Sequence, residues 1–145
     1  MNNDPIKVIL VDDHFIVRAG YRRLLESTAD ICVVAEAENG ETGCIAYFEY
    51  KPDVMILDLN MPGIGGFEAL RRIKAKDPAA RILIFSMNDN VTTIQRILAA
   101  GAAGYLTKQS GIGQMIEAIR QVHQGKLYID SLLSPLRSKQ EGLIK

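Results

Sequence analysis

The sequence contains no tryptophan and only two cysteines, Cys32 and Cys44, among its 145 residues. Two cysteines inside apolar stretches form neither a disulfide framework nor the ligand spacing of a zinc site, so we interpret them as small buried thiols. No apolar run approaches the roughly 18–20 residues that span a membrane. Because the first residues, MNNDPIKV, lack the basic and apolar regions of a signal peptide, we expect a cytoplasmic protein that does not associate with a membrane.

An excess of charge is also absent, since 17 basic side chains balance 17 acidic ones. This balance gives no support for a nucleic-acid-binding surface across the whole chain. The composition, 48% hydrophobic and 23% charged, is that of an ordinary globular protein. A chain of this length is sufficient for one domain with a substantial core.

Five short apolar runs recur along the chain, and none of them alternates with polar residues. The runs begin at Ile6, Ile31, Asp53, Arg81 and Gly104. They are typical of strands that are buried on both faces of a parallel sheet, and segments with helical spacing separate them. The pattern therefore predicts an α/β fold with a doubly wound, five-stranded parallel sheet. We assign residues 1–125 to this domain and interpret residues 126–145 as a linker-like tail.

Polar residues follow four of the predicted strands. They are Asp12 and Asp13, Asp58 and Asn60, Ser86, and Thr107 and Lys108. In open α/β sheets the ligand site lies beyond the carboxyl ends of the strands, so we expect these side chains to converge. Three neighbouring carboxylates raise one another's pKa, and a divalent cation would relieve this repulsion. Because the ligands are oxygen atoms, Mg²⁺ is the predicted cofactor.

An aspartate beside Mg²⁺ can act as a nucleophile toward phosphorus. Asp58, which closes a buried strand, is the predicted acceptor of a phosphoryl group. The metal and the Lys108 ammonium would neutralise charge on the transferred oxygens, and the Ser86 hydroxyl would donate to one of them. The turn rich in proline and glycine that follows Asp58 lets the chain leave the site without covering it.

Four segments, VILVDDHFIVRAGYRRLL, DVMILDLNMPGIGGFEALRRI, ILIFS and AAGAAGYLTK, resemble the receiver domain of bacterial two-component response regulators. The DDH opening and the AAGAAGYLTK segment resemble the subfamily whose receivers precede a LuxR-type helix-turn-helix output domain. The resemblance covers about 120 residues, with its motifs in the right order. It implies a flavodoxin-like (βα)5 fold with strand order 2-1-3-4-5.

The resemblance implies that Asp58 is the phosphoacceptor. Asp12, Asp13 or both would hold Mg²⁺ together with Asp58, and the main-chain carbonyl of Asn60 would be a further ligand. A sensor histidine kinase would supply the phosphoryl group. Phosphorylation would favour a homodimer and regulate transcription through a C-terminal DNA-binding domain that the sequence does not contain.

By the same resemblance, Ser86 and Lys108 bind the phosphoryl group. Tyr105 would be the switch aromatic, turning inward as those two side chains move. The sequence departs from many receivers after the lysine, where Gln109 replaces proline, so we do not expect a cis peptide bond there.

Each of these residues also has a purely structural interpretation. The Asp12–Asp13 pair could cap a helix, and Ser86 could cap a turn. Lys108 could be a solvated surface lysine, and Tyr105 a half-buried strand aromatic. His14 is expected to pack at a helix start, and we assign it no chemistry.

Other functions are compatible with the same fold class. A magnesium-dependent phosphatase with an aspartate nucleophile would place a second acid two residues later, where this sequence has Asn60. A flavodoxin-like carrier would need a phosphate-binding loop after the first strand, where DDHF is acidic. A stand-alone receiver, acting in phosphotransfer or as a docking module, is a further alternative. We expect a switch that catalyses only its own phosphorylation and autodephosphorylation, and not an enzyme acting on other substrates.

Overall fold

The structure, a computed structural model, describes residues 4–130. Strands and helices alternate along these residues. The strands are β1 (Ile6–Val11), β2 (Ile31–Ala37), β3 (Val54–Asp58), β4 (Ile82–Ser86), β5 (Gly104–Thr107) and β6 (Tyr128–Ile129). The helices are α1 (Phe15–Glu26), α2 (Gly40–Tyr50), α3 (Gly65–Lys76), α4 (Val91–Ala99) and α5 (Ile112–His123). None of the helices in this part of the chain is long and apolar enough to cross a membrane.

The strands form one parallel sheet in the order β2-β1-β3-β4-β5-β6. The predicted doubly wound fold and the order 2-1-3-4-5 are confirmed, but the predicted number of five strands is wrong. The sixth strand pairs Tyr128 with Gly104 and Ile129 with Tyr105 at the edge of the sheet. It lies within the segment that we interpreted as a linker-like tail, and two residues are too few to show a periodic pattern. The rest of that predicted tail, residues 131–145, lies outside the described residues.

Two hydrophobic layers cover the sheet. On one face, alternate strand residues such as Met55 and Leu57 pack with α2, α3 and α4. On the other face, their neighbours Val54 and Ile56 pack with α1 and α5. Burial on both faces explains why the strands read as continuous apolar runs, and it leaves the ends of the strands as the place for polar groups.

The peptide bond after Lys108 is trans, as expected with Gln109 in place of proline, and the described residues contain no cis peptide bond.

Candidate functional site

Three aspartates converge at the carboxyl edge of the sheet. Asp12 follows β1 directly, Asp58 is the last residue of β3, and these two strands are adjacent. The two residues are almost fully buried, whereas Asp13 is partly exposed. One ligand atom from each aspartate and one from His14 all lie within 4.8 Å of one another. The structure therefore brings together the three acids that the strand ends predicted.

Lys108 completes the site from the end of β5. Its Nζ lies 3.1 Å from Asp58 Oδ2 and 3.4 Å from Asp12 Oδ2. The same ammonium lies 5.6 Å from the centroid of the Phe85 ring. Because the Lys108 side chain is only 16% exposed, the alternative of a solvated surface lysine does not hold.

Burial and charge shift the acid and the amine in the same direction. Burial raises the pKa of Asp58 above its ordinary value, and the hydrogen bond and charge of Lys108 only partly oppose this effect. Burial lowers the pKa of Lys108, but its contacts with Asp58 and Asp12 outweigh burial, so the pKa is raised. The site therefore holds a protonated lysine beside a carboxyl group whose ionisation depends on nearby positive charge.

Ser86 and Asn60 connect the ends of β4 and β3. The buried Ser86 hydroxyl lies 3.5 Å from Asn60 Nδ2, and the Asn60 main-chain N–H donates to Asp58 Oδ1 at 3.2 Å. The Ser86 hydroxyl also accepts a hydrogen bond from the Asn88 main chain at 3.0 Å. The turn-capping interpretation of Ser86 is therefore realised, and it is compatible with a position beside the acids.

Tyr105 is fully buried and not half-buried. Its hydroxyl donates to the Asn88 carbonyl at 2.5 Å, in the loop that begins at Ser86. Burial raises the pKa of this phenol above its ordinary value. The side chain already points inward, which is the position that we expected it to reach only as Ser86 and Lys108 move.

His14 is a site neighbour to which the sequence analysis assigned no chemistry. It is the N-cap residue of α1, and its side chain is 63% exposed. Its Nδ1 lies 3.1 Å from Asp12 Oδ1 and 3.2 Å from Asp13 Oδ1, and its main-chain N–H donates to Asp12 Oδ1 at 2.8 Å. The position of His14 directly after two aspartates was the feature of the sequence that could have indicated this contact. The helix-cap alternative for Asp12 is not realised, because the N-cap position of α1 belongs to His14 and the Asp12 carboxylate accepts from the main chain of that residue, ahead of the helix.

A second neighbour, Arg18, was missed by the sequence analysis. Its Nη1 donates to the Asp12 carbonyl at 2.6 Å, and its Nε donates to Glu36 Oε1 at 2.7 Å. The guanidinium thereby ties the end of β1 to β2. No sequence signal indicates this contact, since the three residues come from different elements.

The turn after β3 passes close behind Asp58. Gly63 and Gly65 have φ angles of +81° and +77°, which residues with a Cβ atom rarely adopt. A Cβ on Gly66 would lie 2.7 Å from Leu59 Cα and would also meet the Asp58 carbonyl oxygen. The glycines therefore allow the chain to turn in close contact with the backbone of Asp58 and Leu59.

The carboxylate cluster fits a hard divalent cation. Its donors are carboxylate oxygens from Asp12, Asp13 and Asp58, which are the ligands that Mg²⁺ prefers. Asp13 Oδ1 is buried and accepts no hydrogen bond, although His14 Nδ1 is near. A buried carboxylate oxygen without a hydrogen-bond donor fits the donor set of a cation site.

Residues 8–120 match the family described as the response regulator receiver domain. Response regulator GacA of Pseudomonas aeruginosa is 42% identical over 124 residues, which cover 86% of this chain and 58% of GacA. The nitrate/nitrite response regulator protein NarL of Escherichia coli is 36% identical over 135 residues, which cover 93% of this chain and 62% of NarL. The chain therefore spans less than two thirds of the length of either relative.

Solved structures with the same fold include a LuxR-family two-component response regulator from an Aurantimonas species. It has a TM-score of 0.89 and 38% identity, and the match covers 95% of this chain and 99% of that chain. The isolated receiver domain of RcsB from Salmonella enterica, determined with the phosphomimetic BeF3⁻, has a TM-score of 0.83 and 29% identity. That match covers 92% of this chain and 99% of the RcsB chain.

Proposed function

Since the chain belongs to the family of response regulator receiver domains, we propose that it is a signalling switch activated by phosphorylation of Asp58. The observation that carries this proposal is the contact of 3.1 Å between Lys108 Nζ and the buried carboxylate of Asp58. The Asp58 carboxylate provides a nucleophile, and the Lys108 ammonium beside it provides a positive charge for the phosphoryl oxygens. Asp12 and Asp13 lie next to this pair.

In the proposed reaction the donor is a phosphorylated histidine of a sensor kinase. An oxygen of ionised Asp58 attacks phosphorus, an O–P bond forms, and the P–N bond breaks. The departing imidazole keeps the electron pair and takes up a proton. The Lys108 ammonium would balance the charge on the phosphoryl oxygens, and the Ser86 hydroxyl would donate to one of them.

Mg²⁺ is the proposed cofactor. Asp12, Asp13, Asp58 and the main-chain carbonyl of Asn60 would hold it, and the unsatisfied Asp13 Oδ1 supports this assignment. When bound, the ion would supply Lewis-acid stabilisation of the phosphoryl charge.

Loss of the phosphoryl group would return the switch to its resting form. Water attacks phosphorus and forms a new O–P bond while the O–P bond to Asp58 breaks. The carboxylate is regenerated, inorganic phosphate leaves with the oxygen of the water, and the surplus proton passes to solvent. The domain would thus turn over its own phosphoryl group and would not act on other substrates.

Phosphorylation adds about −1.5 to −2 charges to the site, which would shift an existing balance between two conformations. Ser86 and Lys108 would move toward the added oxygens. Tyr105 links this movement to the loop before α4, because its hydroxyl bonds the Asn88 carbonyl. The surface formed by α4 and β5 is therefore the proposed place of the output signal.

We further propose that the complete protein acts in the cytoplasm as a transcription regulator. GacA and NarL are response regulators that are longer than this chain, and a structure of RcsB contains two dimers bound to DNA. By analogy, phosphorylation would favour a homodimer, and DNA would be bound by an output domain that this sequence does not include.

The test is incubation with acetyl phosphate and Mg²⁺, followed by intact-mass measurement. The wild-type protein should gain one phosphoryl group, and Asp58→Asn should gain none. Asp53→Asn is the matched control, because Asp53 is a carboxylate at the opposite end of β3 that accepts a hydrogen bond from the Lys7 main chain. Chelation of Mg²⁺ should stop the labelling. Equal labelling of wild type and Asp58→Asn, or labelling of neither, would refute the assignment.

A further inference from the structure

A fully buried carboxylate, Asp130, lies at the end of β6 and outside the proposed phosphoryl site. Its Oδ2 accepts hydrogen bonds from the main-chain N–H of Thr107 at 3.1 Å and from the Thr107 hydroxyl at 3.1 Å. The Ser110 hydroxyl donates to the same oxygen. One carboxylate oxygen therefore binds both ends of the short turn that leaves β5.

Lys108 lies inside this turn. The turn is closed by a hydrogen bond from the Ser110 main chain to the Thr107 carbonyl at 3.1 Å. The Lys108 main-chain N–H donates to the Ser86 carbonyl at 2.8 Å. No proline restricts the turn, because the residue after the lysine is Gln109. Its shape thus depends on hydrogen bonds, and the Lys108 side chain extends from it to Asp58.

The pairing of β6 with β5 fixes the position of Asp130. The Asp130 main-chain N–H donates to the Tyr105 carbonyl at 3.1 Å, which continues the β5–β6 pairing. At Gly104 the two strands approach so closely that an added Cβ would meet the Tyr128 carbonyl oxygen. Backbone pairing on β6 therefore sets the position from which the carboxylate reaches the turn.

We propose that Asp130 is a positioning residue, whose carboxylate holds the Thr107–Ser110 turn in the shape that directs Lys108 at Asp58. Hydrogen bonds to an ionised acceptor are about twice as strong as neutral ones, which suits a carboxylate for this role.

This inference rests on the proposed function, and its test uses the rate of phosphorylation by acetyl phosphate with Mg²⁺. Asp130→Ala should slow labelling of Asp58 about tenfold, because a small misplacement of a catalytic group costs up to about a hundredfold. Asp130→Asn, which keeps an oxygen acceptor, should restore part of the rate. Asp53→Ala, which removes a carboxylate at the opposite edge, should react at the wild-type rate.

A double-mutant cycle with Lys108→Ala separates positioning from a general loss of structure. If Asp130 acts through Lys108, adding Asp130→Ala to the Lys108→Ala variant will not slow labelling further. Because Lys108→Ala reacts slowly, its labelling is followed over hours. Thermal unfolding will show whether Asp130→Ala folds. If it does not, Ser110→Ala, which removes one hydrogen bond to Asp130 Oδ2, carries the same test.

The inference would be overturned if Asp130→Ala and Ser110→Ala were both labelled at the wild-type rate. It would also be overturned if Asp130→Ala slowed labelling equally in the wild-type protein and in the Lys108→Ala variant. Failure of the wild-type protein to become labelled on Asp58 would instead refute the proposed function. The two ideas can therefore fail separately.

Discussion

Lys108 Nζ and Asp58 Oδ2 lie 3.1 Å apart, although 50 residues separate them in sequence. Parallel pairing of β3 with β4 and of β4 with β5 creates this contact, because it brings the carboxyl ends of β3 and β5 to the same edge. The first prediction concerns this pair. Lys108→Ala should slow phosphorylation by acetyl phosphate about 10²–10³-fold, since it removes a preorganised charge from the reacting oxygens.

The matched control is Lys126→Ala, which removes an exposed lysine in the loop between α5 and β6. Intact-mass time courses at saturating Mg²⁺ measure both rates. A Lys108→Ala rate within a factor of two of Lys126→Ala would show that the amine does not assist phosphoryl transfer.

The second prediction concerns the close approach behind Asp58. Gly66→Ala should lower the free energy of unfolding by about 1–3 kcal/mol, because the new methyl group meets backbone atoms of Asp58 and Leu59. Gly113→Ala in α5 meets nothing within 4 Å and should be neutral or stabilising by up to about 1 kcal/mol. Urea unfolding of both variants is the measurement. If Gly66→Ala and Gly113→Ala changed the free energy of unfolding equally, the turn after β3 would be able to move away from the strand and accommodate the methyl group.

The third prediction concerns alkaline stability. The Tyr47 hydroxyl donates to Asp77 Oδ2 at 2.7 Å, and burial together with this hydrogen bond raises the pKa of Tyr47 far above its ordinary value. The folded state therefore binds the phenolic proton more tightly than the unfolded state does. This stabilisation is complete below the unfolded pKa of about 10 and is lost as the pH rises toward the folded pKa.

Tyr47→Phe tests this difference. Near neutral pH it should cost about 1 kcal/mol for the lost hydrogen bond. Between about pH 10 and pH 12 the free energy of unfolding of the wild-type protein should fall more steeply than that of Tyr47→Phe, so the difference between the two proteins should shrink. Denaturant unfolding measures the free energy of unfolding of both proteins at each pH. A constant difference between them across that range would contradict a raised pKa for Tyr47.

The fourth prediction concerns the buried hydrogen bond of Tyr105. Tyr105→Phe leaves the Asn88 carbonyl without this donor and should lower the free energy of unfolding by about 1–3 kcal/mol. Tyr50→Phe, at an exposed position at the end of α2, should change it by less than about 0.5 kcal/mol. If the two variants are equally stable in urea unfolding, the Tyr105 hydroxyl does not hold the loop after β4.

The chain pattern was sufficient to predict the alternation of strands and helices. The first four residues of β3, Val54-Met55-Ile56-Leu57, are all apolar because helices cover both faces of the sheet, and this burial is visible directly in the sequence. The convergence of Asp12, Asp58 and Lys108 followed from the same pattern, since the carboxyl ends of parallel strands share one edge. The strand order itself came from the resemblance to a family, because periodicity does not specify which strands are neighbours.

Only the tertiary structure decided the details that depend on distant partners. The two-residue strand β6 is set by pairing with β5, and two residues carry no periodicity. The contacts of Asp130 with Thr107, of Arg18 with the Asp12 carbonyl and the inward position of Tyr105 depend on rotamers chosen by packing. A sequence specifies which groups can meet at an edge, whereas the hydrogen bonds they form depend on distances that exist only once the sheet and helices are packed.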